Sequence, residues 1–400
     1  MLIILYGKNL KITWASSLIL DLHLHRTTQI EVLENLSLMG NKTLLIGMRT
    51  RKHLIFQENK NTQFIQIPIR FFPIVSEFIY TVFLAFFLPL HILLSNPDFI
   101  IMDPELSILG SISGILVSKF KKTKFVLDIR SIPVDIKGTL GALHRLQFDV
   151  SVFFAKGLFS GISIITPMMK EEICKKYVIE QKKVGVWTSG VSESLFDPSR
   201  WNVSGKKLRT KFGLSDSFVV FYHGNISAIR GIPETVEATR ILAQKQPNFV
   251  LFLLGAGPLV PTLKSLVEKE KISKNIRIHD AVSYEEVPKY ISMSDICIIP
   301  LPDNPLWRFQ SPLKLLEYLS MEKVVIATNI PAHRRVVDNA ECCLYLSSMD
   351  TKEIIKLLEF AQLYKAKLDS WGKFGRKIIL KEYTWKKVAQ DFQNYLMSIA

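Results

Sequence analysis

Four hundred residues are enough for two or three domains at about 100–200 residues each. Hydrophobic residues make up 48% and charged residues 22% of the chain, with 19 Gly and 18 Pro, which excludes collagen, low complexity and wholesale disorder. The net charge of +15 divides into +8 before residue 190 (22 basic, 14 acidic) and +7 after it (29 basic, 22 acidic). The excess is therefore no tail, and it favours an anionic partner: a phosphorylated small molecule, nucleic acid or an acidic membrane surface. Aromatic and basic residues do not cluster together, which argues against nucleic acid.

The N-terminus, MLIILYGKNLKITW, has no charged start and no small-residue cleavage site, so it reads as a first strand over Leu2–Tyr6 and not as a signal peptide. Further strands are expected at Thr43–Ile46, Phe64–Ile67, Phe99–Met102, Phe125–Asp128 and Gly161–Thr166. After a basic stretch the alternation restarts with Val184–Trp187, Phe218–His223, Phe249–Leu254, Ile276–Ile278, Ile296–Ile299 and Val324–Ala327. Helical periodicity falls between them, as at Ile30–Met39, Ile232–Gln244, Leu259–Lys271 and Lys352–Leu363. Strands alternating with helices indicate βαβ units and parallel sheets. The division expected is an N-terminal domain 1–183, a C-terminal domain 184–380 and a last helix 381–400 returning to the first domain.

Phe78–Leu94 is free of Lys, Arg, Asp and Glu, sits at the lower edge of a membrane span and contains Pro89 and His91. It reads as a buried helix of an α/β domain, with an interfacial helix as the alternative. A true span ranks last, because it would separate the strands before and after it, which should share one sheet. The cysteines Cys174, Cys297, Cys342 and Cys343 contain no CxxC pair, which marks a reduced, intracellular chain with no tetrahedral zinc site.

Ligands of open parallel sheets sit beyond the carboxyl ends of the strands. After Ile296–Ile299 comes PLPDNPLWRFQSPLKLLEY, with Ser311 as N-cap, Pro312 at N1, and Lys314 and Glu317 three apart on one helical face. Such a helix start can hold a diphosphate, with Lys314 supplying charge and Glu317 accepting from ribose hydroxyls. An ordinary capped helix with a solvent-facing Lys–Glu pair explains the same residues. After Phe218–His223 comes HGNISAIRGIP, where Gly224 permits a tight turn and Arg230 stands at a helix mouth, suited to phosphate or simply exposed. His223 ends the strand beside that loop and is a further candidate. LGAGP, with Gly255 and Gly257, is either a close approach for a ligand or a plain βα turn, and is not GxGxxG. In the first half, Asp128, Arg130 and Asp135 follow a strand and could orient an acceptor or form a structural pair. His23, His25 and His144 read as structural or solvated.

Taken in order, HGN…RG, LGAGP, YEEVPKYISMSDICIIPLP and SPLKLLEYLSMEKVVIAT resemble the donor domain of the retaining GT-B glycosyltransferases of family 4 (glycosyl transferases group 1), and SGVSESLFDP resembles its domain junction. LENLSLMGNKTLLIG, NPDFIIMDPEL and KFVLDIRSIP resemble first-domain segments more loosely. The resemblance implies an α/β GT-B fold, two doubly wound Rossmann-like domains facing across a cleft, and a hexosyltransferase-type enzyme that retains anomeric configuration. It implies a nucleotide-diphosphate sugar as donor substrate; Arg230, Lys314 and the helix start at Ser311 can stabilise the leaving diphosphate without a metal, and no cofactor is expected. By it, Arg230 and Lys314 hold the diphosphate and are catalytic, and Asp128, from its place after a strand, is the third catalytic candidate. Gly224, Asn225, Gly255, Gly257, Ser311, Leu313 and Glu317 complete the donor site, with the backbone of Ala281 and Val282 at the base. Ser16, Ser17, Asp128 and Arg130 lie on the acceptor side. Three positions depart from the family pattern: Phe309 stands for the first acid of its glutamate pair, Asn225 for an arginine, and Gly7 with Ala15-Ser16-Ser17 for adjacent glycines.

The acceptor expected is a lipid-linked glycan or polysaccharide. Phe71–Leu94 together with Arg70, Lys119, Lys121, Lys122 and Lys124 suggests a cytoplasmic enzyme held peripherally on an acidic membrane. The alternatives are a nucleotide-sugar epimerase of the same fold and a catalytically silent glycosyltransferase-like subunit.

Overall fold

The computed structural model describes residues 9–19, 26–49, 61–68, 73–133 and 138–400. The expected strand Leu2–Tyr6, and Gly7, His23, His25, Arg70, Phe71, Phe72 and Asp135, lie outside these residues. The chain divides into one unit of 1–189 with 385–400 and a second of 190–384.

The first unit carries a seven-stranded parallel sheet: β1 Lys11–Ile19, β2 Lys42–Arg49, β3 Thr62–Pro68, β4 Phe99–Met102, β5 Lys124–Ile129, β6 Gly161–Ile164 and β7 Val184–Val186. Their order is β3-β2-β1-β4-β5-β6-β7, so the winding reverses between β1 and β4. Two expectations change here. Val184–Val186 pairs with β6 and closes the first sheet instead of opening the second, which moves the unit boundary from 183/184 to 189/190. The first described strand is Lys11–Ile19, which places Ala15, Ser16 and Ser17 inside a strand and not in a loop. Its sequence, KITWASSLI, mixes polar with apolar residues because Thr13 and Ser16 are buried with partners: Thr13 Oγ1 is 2.9 Å from His91 Nε2, and Ser16 donates to Asp103.

Helix α1 (Arg26–Leu38) packs against the C-terminal helix Trp385–Ser398, whose Phe392 lies 4.7 Å from the Trp187 ring and 6.0 Å from Trp14. Helices α2 (Pro73–Ser95), α3 (Ile112–Lys121) and α4 (Gly138–Leu158) follow the reversed winding, and right-handed crossovers set them on the opposite face from α1. α2 does not read as a buried helix throughout. Tyr80, Leu84, Leu88 and Ile92, four apart, are fully buried, while Phe78, Phe86 and Leu90 on the opposite stripe are exposed. By length and composition alone α2 could cross a membrane. It serves, however, as the crossover between β3 and β4, and its inner stripe is sealed into the unit. Pro89 removes the N–H that would pair with the Ala85 carbonyl, and Ser113 Oγ of α3 donates to that carbonyl instead at 2.5 Å. Gly110 allows this closeness, since a Cβ there would meet the Thr81 carbonyl at 2.5 Å.

The second unit has a six-stranded parallel sheet of β8 Phe218–Asn225, β9 Phe249–Ala256, β10 Ile276–His279, β11 Ile296–Ile299, β12 Val325–Thr328 and β13 Cys343–Leu346. Its order is β10-β9-β8-β11-β12-β13, with the reversal between β8 and β11. Alternate residues feed two cores: Val219 and Phe221 on one face, Phe218, Val220 and Tyr222 on the other. Each strand is apolar on both faces because helices cover both.

Candidate functional site

The reversal between β8 and β11 leaves the carboxyl end of the second sheet open, and the residues singled out in the sequence gather there. β8 ends in His223-Gly224-Asn225 and leads to a short turn, Ala228–Arg230; β11 leads to the helix Leu313–Ser320.

The helix begins one residue later than expected. Pro312, at φ −85° and ψ 78°, is the cap, and Ser311 stands one residue before it. The Leu313 amide already donates to the Ser311 carbonyl at 3.0 Å and that of Leu315 to Pro312 at 2.9 Å. Side chains add positive charge at this end. Lys314 lies over Gly224, where a Cβ would meet its Cε at 2.9 Å, and its Nζ is 5.5 Å from the Tyr222 ring centre. Burial, then the neighbouring Arg230 charge, push the Lys314 ammonium down to about 8. The Arg230 guanidinium stacks over Trp307 at 4.7 Å, and its buried Nε has no hydrogen-bond partner among the described residues. Two neighbouring cations, one with an unused buried donor, are chemically suited to an anion.

Glu317, 3% exposed, lies one turn deeper. Its Oε2 is 3.1 Å from His223 Nε2, and Tyr284 donates to Oε1 at 2.9 Å. The Tyr318 hydroxyl accepts from the His223 backbone N–H at 3.0 Å, which directs its own proton to Nδ1 at 2.9 Å and assigns the Nε2–H to Glu317. Burial raises the Glu317 carboxyl, but the hydrogen bonds from His223 and Tyr284 outweigh it and hold the group below its usual range. An ionised, oriented carboxylate retains lone pairs for a diol. Tyr284 ties this helix to the loop after β10, where Ala281 is exposed and Val282 packs on the core.

Gly255 and Gly257 serve packing of the chain on itself. At φ +150° and +158° they sit where a Cβ would strike the Gly224 and Ile226 carbonyls at 2.0 and 2.2 Å. Asn225 is exposed, and its carbonyl accepts from the Tyr222 hydroxyl at 2.8 Å. The sequence reading missed Tyr284, Trp307, Tyr318 and His333. His333 is fully buried, donates from Nδ1 to the Thr328 carbonyl at 2.8 Å, and has no partner for Nε2 among the described residues. Burial, with Lys314 nearby, lowers it to about 4, so it is neutral at pH 7. The Trp307 Nε1 is likewise buried without a partner among the described residues. No local pattern in NIPAHRRVV or NPLWRF marks these atoms; tertiary packing brings them to the site.

The first-unit candidates do not form an open site. Asp128 has no exposure: Ser163 Oγ donates to its Oδ1 at 2.5 Å and Trp187 Nε1 to the same oxygen at 2.9 Å. Burial raises its carboxyl to about 6. Arg130 lies over the Trp187 ring at 3.6 Å, donates to the Trp187 carbonyl at 2.9 Å, and its Nε is 3.9 Å from Asp128 Oδ2. Asp128 is therefore a structural carboxylate in this conformation and not an acid or base presented to substrate. Ser16 is fully buried and committed to Asp103, whose Oδ1 also accepts from Trp14 Nε1 at 3.1 Å; Ser17 is half-buried. No cluster of three or more His, Cys, Asp or Glu with metal-ligand geometry occurs among the described residues.

Two doubly wound Rossmann-like units on one chain, each a parallel sheet with interleaved helices, define the α/β GT-B fold class. Residues 205–378, within the second unit, match the family model described as glycosyl transferases group 1. Among curated proteins, the alpha-D-kanosaminyltransferase of Streptomyces kanamyceticus is 20% identical over 200 residues, 50% of each chain. The match thus spans half that relative's length. The capsular polysaccharide biosynthesis glycosyltransferase CapM of Staphylococcus aureus is 20% identical over 304 residues, 73% of this chain and 75% of CapM. Among solved structures, Anabaena Alr3699/HepE in complex with UDP superposes with a TM-score of 0.71 at 12% identity, covering 97% of this chain and all of the other (100%). That likeness carries the fold.

Proposed function

We propose that this chain is a glycosyltransferase that moves a sugar from a nucleoside-diphosphate sugar to a hydroxyl of a glycan or lipid-linked glycan, with retention at the anomeric carbon. The observation that carries the reading is the juxtaposition of Lys314 and Arg230, neither ion-paired to a carboxylate among the described residues, beside the oriented carboxylate of Glu317. A diphosphate answers the two cations, and a ribose diol answers Glu317. The group 1 family match, and the UDP bound by HepE, support the donor class. CapM's role in capsular polysaccharide supports a glycan acceptor. Four buried free thiols accord with work in a reducing compartment, the cytoplasm.

As the anomeric C–O bond breaks, its electron pair passes to the diphosphate, and negative charge grows beside Lys314 and Arg230. Stabilising that charge in a desolvated site is where such side chains lower a barrier. The acceptor oxygen bonds to the anomeric carbon on the face the diphosphate leaves, and its proton passes to a diphosphate oxygen. Turnover of UDP- and GDP-sugars by the whole chain, with and without lipid extract, tests the reading. Release of nucleoside diphosphate that needs acceptor and vanishes in Lys314→Ala and Glu317→Ala supports it. Epimerised donor without acceptor, or donor binding without turnover in any extract, overturns it.

A further inference from the structure

We propose that the outer face of α2 and α3, with the lysine-bearing edge of the first sheet, is a docking surface for an anionic lipid bilayer. The inference uses only the first unit and is independent of the reaction. α2 is 23 residues, about 35 Å at 1.5 Å per residue, and its outward stripe exposes Phe78, Phe86, Leu90 and Leu94, with Phe86 76% and Leu94 77% exposed. α3 packs beside it and adds Leu116 and Phe120, four apart on one stripe, with Phe120 88% exposed. Contiguous apolar surface from two neighbouring helices marks a contact with another body.

Charge identifies that body. In a parallel sheet all strands begin at one edge, and helices that lead into strands end there. Lys11 and Lys42 open β1 and β2, Lys119 and Lys121 fill the last turn of α3, and Lys122 caps it; of these, Lys11, Lys42, Lys121 and Lys122 are exposed and Lys119 is exposed in its last turn. Lys11 Nζ donates to the Ser95 carbonyl at the end of α2, which fixes a cation at the tip of the apolar stripe. Between Lys11, Lys42 and that tip is an open cavity of about 340 Å³, also lined by His91, Asn61 and Gln63, with room and donors for a phosphate headgroup. Of the acids at this edge, Asp98 accepts from the Lys11 backbone amide at 2.8 Å and Glu180, before β7, pairs with Lys182 at 2.8 Å. The acid of α2, Glu77, sits at the other end, where its Oε1 accepts from the Leu106 amide at 2.9 Å and from Gln147 at 2.7 Å. A charge-free apolar stripe ending in a row of ammonium groups is complementary to acyl chains beneath anionic headgroups, and a protein partner would need a matching acidic rim.

The test is flotation of the whole chain with phosphatidylcholine vesicles, with and without phosphatidylglycerol, at two salt concentrations. The expected result is binding only to the anionic vesicles, weakened by salt. Each lysine near such a surface is worth about fivefold in partition, so Lys119→Gln/Lys121→Gln/Lys122→Gln loses on the order of a hundredfold. Phe86→Ser and Phe120→Ser each lose roughly tenfold or more. Far-UV circular dichroism and thermal melts check that variants are folded. A failure of UDP binding in the unaltered chain speaks against the proposed reaction and leaves the surface untouched. Binding to neither vesicle, equal binding by all variants, or a dimer in light scattering that Phe86→Ser disperses would each overturn the proposal.

Discussion

His223 Nε2 stands 3.1 Å from Glu317 Oε2, and Tyr284 holds the other carboxylate oxygen at 2.9 Å, so the one acid of the helix Leu313–Ser320 is oriented from both sides before any ligand arrives. Charge-assisted hydrogen bonds of this kind contribute about 1.5–3 kcal/mol. Removing His223 should let burial raise the carboxyl and loosen its aim. In His223→Ala, affinity for UDP should fall on the order of tenfold, and the preference for UDP over 2′-deoxy-UDP should shrink with it. Isothermal titration with both nucleotides checks this; an unchanged ribose preference would sever His223 from the site.

Lys314 has the opposite effect on the unliganded fold. Buried beside Arg230 with its pKa at about 8, it destabilises the folded state. Because the folded pKa lies below the unfolded value of 10.5, the unfolded chain binds more protons between pH 8 and 10.5, and stability should rise with pH across that window. Lys314→Met should remove this rise, raise stability at pH 7 by about 1–3 kcal/mol, and abolish nucleotide binding. Thermal melts across pH, with and without UDP, measure all three effects. UDP binding near pH 8 should also take up a proton.

In the first unit, Glu105 and Glu77 share Gln147, and burial, followed by the Glu77 charge, pushes Glu105 up to about 8. A raised carboxyl binds protons in the folded state that the unfolded chain has released. Stability should therefore fall as pH rises from about 4.5 to about 8, and Glu105→Gln should flatten that slope. Urea midpoints at several pH values decide it, and a slope unchanged in Glu105→Gln would refute it.

Asp128→Ala should cost about 3 kcal/mol, because it strands Ser163 Oγ, Trp187 Nε1 and the Arg130 guanidinium in the interior. Asp128→Asn, which keeps an acceptor, should cost less. Neither should change UDP affinity if the donor is held by Lys314, Arg230 and Glu317, since Asp128 belongs to the first unit and those three to the second. A loss of affinity in folded Asp128→Asn would return this residue to the chemistry.

Much of the architecture was legible because strands covered on both faces read as unbroken apolar runs: Phe249–Leu254 and Ile296–Ile299 needed nothing else. β1 was not legible, because the burial of Thr13 and Ser16 is offset by partners far along the chain, His91 and Asp103, that no local window contains. Val184–Val186 was recognisable as a strand, but which sheet it joins depends on pairing with β6 and not on its own three residues.

At the site, the residue types of Lys314, Glu317 and Arg230 and their place after strands could be read from spacing alone, since a strand followed by a helix fixes which end of the sheet they reach. The sequence by itself thus determined two α/β units, the positive character of the second unit's carboxyl edge and the uncharged apolar run Phe78–Leu94. Only the tertiary structure decided that Arg230 and Lys314 stand together, that His223 and Tyr284 aim Glu317, that Asp128 is buried, and that half of α2 faces outward. Those properties depend on distance and solvent exclusion between segments far apart in the chain, and periodicity along one segment carries no record of either.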